Sequence, residues 1–422
     1  MNRTITWRLW LALACLAVLP SVGCRAGDSL RWRHWGGAVS VLPGRAVVID
    51  SYQGQWQKGR NNVAAAVEAS FTPLPSDSDA FAADYNYPTL SAGLRFHWNH
   101  GVTMHKAGGS EWGMAQEADY DSRMGNAVSL YGTFSRPLFR SRRWTADYSL
   151  SFGTTYSHRK YDKTNNVDNE LIGSRWLIYF GTGLHLTWRL AADWGLRAGI
   201  DYYHHSNGAL NRPNKGANFV APSLSVVYQP YYGEALKTGR ATGRRPFKPY
   251  WYVDLTAAVG AKTLEEDWKI TQFKTSPDDP DYRTEHFKLY TAYALSADVM
   301  CRYRRRWASG LGVDAFYGTY ASHIRQIDEA AGYSEKHSPW SLGIAAKHEV
   351  FWHALSLNMA LGVYVFRHMG HAAGSLEKPY YERIGLRYAF RRLGGLQVGA
   401  NVKAHWLKAD YTEVTVGFPF RL

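Results

Sequence analysis

The segment Gly199-Ile200-Asp201-Tyr202-Tyr203-His204-His205-Ser206-Asn207-Gly208 places a serine two residues after a histidine. A serine hydroxyl is a weak nucleophile until a base takes its proton, and an imidazole on the same strand face can do so. The spacing therefore points to acyl-transfer chemistry, with Ser206 as nucleophile and His204 as base. Further on, Asn218, Val220, Pro222, Leu224, Val226 and Tyr228 alternate along a second segment. If the two segments pair as a hairpin, Asn218 shares the rim with the His/Ser pair and can orient the imidazole through its second nitrogen. Asn207 and the backbone N–H groups of Gly208 and Ala209 are candidate donors to an oxyanion. Taken alone, His-x-Ser is a pattern of low specificity, and Asn-Gly is also an ordinary turn signal.

Strand periodicity must position these groups. Leu196, Ala198, Ile200 and Tyr202 form an apolar face that His204 and Ser206 continue, while Arg197, Asp201, Tyr203 and His205 take the opposite face. In a membrane barrel the first face meets lipid and the second points inward. A polar pair on the lipid side is tolerable only at the rim, where the head and acyl linkages of an outer-leaflet lipid lie. The rest of the chain repeats the period-2 pattern. Strands are expected at 45–52, 63–72, 88–98, 126–136, 143–157, 173–188, 194–207 and 217–230. A second series is expected at 249–263, 286–303, 308–322, 339–352, 354–368, 380–391, 396–406 and 411–422. Short turns such as Leu138 to Arg143 and Arg304 to Ala308 alternate with long polar loops at 99–125, 158–172, 264–285 and 323–338, as periplasmic and external connections do. The last strand sets Val414, Val416, Phe418, Phe420 and Leu422 on one face. The expected fold is all-β, an antiparallel transmembrane β-barrel. One barrel of about 14–16 strands is preferred because a single closed wall leaves no unpaired edge in lipid. The alternative is an eight-stranded barrel followed by a second barrel-like half.

Composition narrows the class. The chain has 422 residues, 15% of them aromatic, with 39 glycines, which excludes a disordered protein. After the first 25 residues no apolar run approaches the ~20 residues of a spanning helix. Residues 1–24 read as a signal peptide: Arg3 and Arg8 precede the apolar run Leu9 to Pro20. Ser21-Val22-Gly23-Cys24 resembles a lipoprotein signal that would acylate Cys24; the alternative is cleavage nearby, for instance after Ala26. Cys15 leaves with the signal, and Cys24 and Cys301 imply no disulfide framework. The net charge of +14 is concentrated in short turns such as Arg140 to Arg143 and Arg304 to Arg306, and a nucleic-acid partner is not expected. Phosphorylated lipid or polysaccharide is the more natural counterpart of a basic exported protein, and solvated turns are the plainer reading. His368, His371, Tyr380 and Glu382 near one loop, His323 and His337 near another, and His97, His100 and His105 lack compact ligand spacing, so no metal and no cofactor is expected.

Two regions follow, 25–235 with the His-x-Ser hairpin and 249–422 without it, joined through 231–248. At an offset of 200 residues Gly195-Leu196-Arg197-Ala198-Gly199 meets Gly395-Leu396-Gln397-Val398-Gly399, and His205 meets His405. Duplication and chance likeness of glycine-rich strands both account for this. Ala404 and Trp406 stand opposite His204 and Ser206, so the second region is expected to be structural or substrate-positioning.

His204-His205-Ser206-Asn207-Gly208, followed by Pro213-Asn214-Lys215-Gly216 and a closing strand, resembles the active-site hairpin of the PagL family of lipid A deacylases. The resemblance covers roughly residues 35–230, and only the hairpin is specific. It implies an eight-stranded outer-membrane barrel that hydrolyses an ester-linked acyl chain at the 3-position of lipid A. It also implies His204 as base, Ser206 as nucleophile and Asn207 as oxyanion-hole asparagine. The chain departs from the family where a glutamate should orient the histidine, since Asn218 stands there. The function expected is an outer-membrane serine esterase acting on lipid A, or lipopolysaccharide, in the bacterial outer membrane, with oligomeric state unspecified. The alternatives are a non-catalytic barrel, pore or structural, with a relic hairpin, and a binding module for surface polysaccharide.

Overall fold

The computed structural model describes residues 33–236 and 246–422. The expected signal peptide with Cys24, and the middle of the 231–248 connection, lie outside the described residues. The first half contributes β1 (Trp35–Ala46), β2 (Asn61–Phe71), β3 (Thr89–Gly101), the two-residue strands β4 (Thr103–Met104) and β5 (Ser122–Arg123), and β6 (Ala127–Arg140). It continues with β7 (Trp144–Ser157), β8 (Trp176–Arg189), β9 (Trp194–Ser206) and β10 (Ala217–Tyr228). The second half contributes β11 (Tyr250–Lys262), β12 (Tyr290–Arg304), β13 (Trp307–Gly318) and β14 (His337–Trp352). Its remaining strands are β15 (Leu355–Met369), β16 (Tyr380–Phe390), β17 (Leu396–His405) and β18 (Lys408–Arg421).

These strands close two separate antiparallel barrels. The order β1-β10-β9-β8-β7-β6-β3-β2 closes the first and β11 through β18 the second, eight strands each. The preferred single large barrel is therefore corrected: β1 pairs with β10 and β11 with β18, and both edges of each half are satisfied. The need to hide strand edges is met equally well by two closures as by one. What separates them is the interior. Eight strands enclose a space that side chains can fill, and both interiors are filled. In the first, Arg95 lies under the rings of Tyr131, Tyr179 and Tyr203, with centroids 5.2, 5.8 and 5.3 Å away. In the second, Arg383 bonds Glu413 at 2.6 Å and Asp314 at 3.1 Å, while Lys347 reaches Asp314 at 2.7 Å. A buried charge stripped of its partner costs about 3–5 kcal/mol, so interior charges on one strand demand counter-charges on its neighbours.

Fifteen of the sixteen expected strands match barrel strands within a few residues; the first does not. Alternation places a strand at 45–52, but β1 runs Trp35–Ala46 and Ser51–Trp56 is a helix capped by Asp50. Pro43 and Gly44 lower the strand signal of β1. The β1–β10 ladder skips from Val41 opposite Leu224 to Arg45 opposite Val220, around Pro43 and Pro222, which have no N–H to give.

Outward-facing large apolar residues, among them Leu94, Leu130, Leu184, Leu295, Leu311 and Val363, are exposed around both barrels. Exposed tryptophans mark the strand ends, with Trp144 and Trp188 at one rim and Trp98 and Trp176 at the other. That is a lipid-facing band between interfacial aromatic girdles. The barrels are joined at both rims. On the periplasmic side the long 72–88 connection reaches the second barrel: Tyr85 Oη donates to Phe351 O at 2.8 Å, and His353 pairs with Asp79 at 2.9 Å. On the external side Tyr161 Oη donates to Arg283 O at 2.9 Å, and Lys160 pairs with Glu285 at 2.5 Å.

Candidate active site

Strand β9 sits between β8 and β10, and the register fixes its neighbours. His204 lies opposite Asn218 on one side and Phe180 on the other; Ser206 lies opposite Ile178. Asp201, Tyr203 and His205 are buried inside the barrel, whereas Ile200 is 64% exposed on the outer wall. Tyr202, His204 and Ser206 share the outer face with Ile200 and lie at its external end, where Ser206 is covered to 8% exposure.

His204 Nδ1 lies 2.8 Å from Asn218 Oδ1, and Tyr202 Oη donates to the same oxygen at 2.6 Å. A carboxamide oxygen only accepts, so Nδ1 carries the imidazole hydrogen and Nε2 keeps its lone pair. That is the tautomer a general base needs. Beneath the ring, Gly216 sits at φ +81°, and a Cβ there would stand 2.6 Å from His204 Cε1. Glycine is thus required twice over at 216, for backbone conformation and for space. No hydrogen bond joins His204 to Ser206 among the described residues. In unliganded hydrolase sites this bond is often long and tightens with substrate bound.

The loop 207–216 carries the candidate oxyanion donors. Asn207 Nδ2 donates to Ser174 Oγ at 3.1 Å and to Asn211 O at 3.0 Å, and its backbone N–H donates to Asn214 Oδ1 at 2.9 Å. Its donors therefore brace the loop in this state. Among the described residues, the N–H groups of Gly208 and Ala209 have no hydrogen-bond partner, while that of Leu210 donates to Asn207 O at 3.2 Å. The sequence assigns no role to Tyr202 or Ser174, and it marks Asn214 and Gly216 only as members of the hairpin motif. The signal for Tyr202 is its place two residues before His204 on the same face, whereas Ser174 is an ordinary loop residue.

The second barrel borders this loop. Thr263 N–H donates to Ala209 O at 2.8 Å, and Thr412 Oγ1 donates to Gly208 O at 3.0 Å. Arg212 lies 3.6 Å from Glu265, which also pairs with Lys408. Burial raises the Glu265 carboxyl, but Lys408 and Arg212 outweigh it and hold the group at about 2. In the second barrel Glu377, His405 and Asp410 cluster closely enough to hold a cation, a grouping the sequence spacing does not reveal. Their ligand atoms are already engaged: Asp410 by Lys403 at 2.6 Å and by Lys262, and Glu377 by Arg367. His405 Nδ1 donates to Tyr380 O at 3.0 Å. The cluster is an ion-pair network closed by its own lysines and arginine.

Two family models match the chain, "Lipid A 3-O-deacylase (PagL)" over residues 87–227 and "Acyloxyacyl hydrolase, C-terminal domain" over residues 251–422. No curated protein matches it. Among solved structures, the crystal structure of the outer membrane enzyme PagL shares 12% identity, covers 46% of this chain and 98% of its own, and has a TM-score of 0.26. A substituted porin of Rh. blastica shares 10%, covers 92% and 99%, and has a TM-score of 0.16.

Proposed function

We propose that this chain, a member of the PagL family of outer-membrane barrels, is a serine esterase that removes an ester-linked acyl chain from lipid A. The observation that carries this reading is the His204–Asn218 pair at 2.8 Å on the lipid-facing rim, on the same face as Ser206. Ser206 Oγ attacks the ester carbonyl while His204 Nε2 takes its proton. The tetrahedral oxyanion is met by the N–H groups of Gly208 and Ala209. Collapse expels the sugar alkoxide, which takes the proton from His204. A water activated by the same imidazole then releases the fatty acid and restores Ser206.

Asn218 orients the ring but cannot neutralise an imidazolium as a carboxylate does, so the base is weaker than in a glutamate-bearing site. The pore alternative calls for an open lumen; the polar cavity inside the first barrel measures 20 Å³, space for about one water.

Mass spectrometry of lipid A from cells expressing the protein tests the reading. The wild type is expected to produce a species lighter by one acyl chain, and Ser206→Ala, inserted equally well, to leave lipid A intact. Identical spectra for the two would overturn it.

A further inference from the structure

We infer that the second barrel sets the geometry of the candidate oxyanion loop, with Thr412 and Thr263 as positioning residues; this rests on the esterase reading above. Three successive peptide groups, 207–208, 208–209 and 209–210, form the loop crest, and each is held by its carbonyl. Asn207 O accepts from Leu210 N–H within the loop. Gly208 O accepts from Thr412 Oγ1 at 3.0 Å. Ala209 O accepts from Thr263 N–H at 2.8 Å and from its Oγ1 at 3.0 Å.

In a trans peptide the N–H points opposite to the C=O of the same plane. Anchoring Gly208 O to β18 therefore turns the N–H of Ala209 away from the second barrel. The plane that carries the N–H of Gly208 is set by the loop's own bond to Asn207 O. Two of the three anchors come from the second barrel. The grip is reciprocal, because Arg212 of the loop donates to Thr263 O through Nε at 3.1 Å and Nη2 at 2.8 Å. Gly208 is wedged in this contact at φ +61°: a Cβ there would stand 3.0 Å from Ile178 Cδ1 and would overlap Thr412 Oγ1. Its neighbour Ala209 holds φ +69° with its side chain fully buried, a conformation a non-glycine residue keeps only when its surroundings enforce it.

The test uses the full chain with Thr412→Val, which removes the hydroxyl at constant volume, and Thr412→Ser, which keeps it. Amide hydrogen exchange over 207–212 and hydrolysis of lipid A in detergent micelles are measured on both, after heat-modifiable electrophoretic mobility shows folded barrels. A neutral hydrogen bond contributes roughly 1 kcal/mol, so Thr412→Val should exchange about fivefold faster and lose about fivefold in kcat with KM unchanged. Thr412→Ser should match wild type in both. Unchanged exchange in Thr412→Val overturns the inference whatever its activity. An equal fall of kcat in Thr412→Ser also overturns it, since the hydroxyl would then not be the acting group. If the wild type releases no acyl chain, the esterase reading fails, while the exchange data still decide whether β18 holds the loop.

Discussion

The hairpins β9–β10 and β17–β18 occupy the same place in their barrels, 200 residues apart, and have opposite ends. In the first, His204 and Ser206 finish the outer face and a ten-residue loop, 207–216, folds back over the rim with Asn207, Gly208, Ala209, Arg212, Pro213 and Gly216 buried. In the second, His405 pairs directly with Lys408, and the turn is Trp406 and Leu407 alone, at φ +53° and +63°. Both central residues are left-handed, as in the tight two-residue hairpin turn. The two residues are 69% and 89% exposed. Such a turn has no spare peptide groups to aim at a reacting carbonyl. The inward histidines of the two hairpins diverge as well: His205 packs against His97 at 4.8 Å, whereas His405 joins an ion-pair network. One barrel scaffold thus supports two rims, and the capacity for chemistry lies in the loop rather than in the strands.

That contrast can be broken by substitution. His204→Ala should lower acyl release on the order of 10³-fold, the usual worth of a general base. Trp406→Ala, on the corresponding rim, should leave the same assay unchanged; a comparable loss there would place chemistry in both barrels. Gly216→Ala comes next. Its Cβ displaces the imidazole from Asn218, and misplacing a catalytic group by about an ångström costs between about 10- and 100-fold. Wild-type rates in that variant would mean the ring is free to move without consequence. Asn218→Asp sharpens the comparison through pH. A carboxylate against Nδ1 favours the imidazolium, so the imidazole pKa rises and the neutral base is lost at higher pH than in wild type. The acid limb of kcat/KM should move up by about one pH unit. A profile that does not move would dissociate Asn218 from the base.

Much of this site was legible in the sequence because a strand has only two faces. The alternation of Leu196, Ala198, Ile200 and Tyr202 against Arg197, Asp201, Tyr203 and His205 is enough to put His204 and Ser206 outside and to bring Asn218 across from them. The loop was less legible. Asn207 looks like a free amide, but its hydrogens are spent on Ser174 and Asn211. Tyr202 reads as lipid-facing apolar surface, and its hydroxyl nonetheless reaches Asn218. Closure of two barrels instead of one was not legible, since edge satisfaction is indifferent to the number of walls. The choice is expressed in long-range interior partners such as Arg383 with Asp314. Thr263 and Thr412 are invisible to any local pattern, because their role depends on where the second barrel docks. The long periplasmic connection 72–88 is unlike the short turns expected on that side for the same reason, being the bridge to the second barrel.

In the proposed reaction a single activated serine, in the first barrel, does the chemistry. Labelling the folded full-length protein with a fluorophosphonate, followed by peptide mapping, addresses it most directly. One modified site is expected, Ser206, lost in His204→Ala and untouched in Trp406→Ala. Modification elsewhere, or lipid A deacylation that persists in a fully labelled protein, would contradict it.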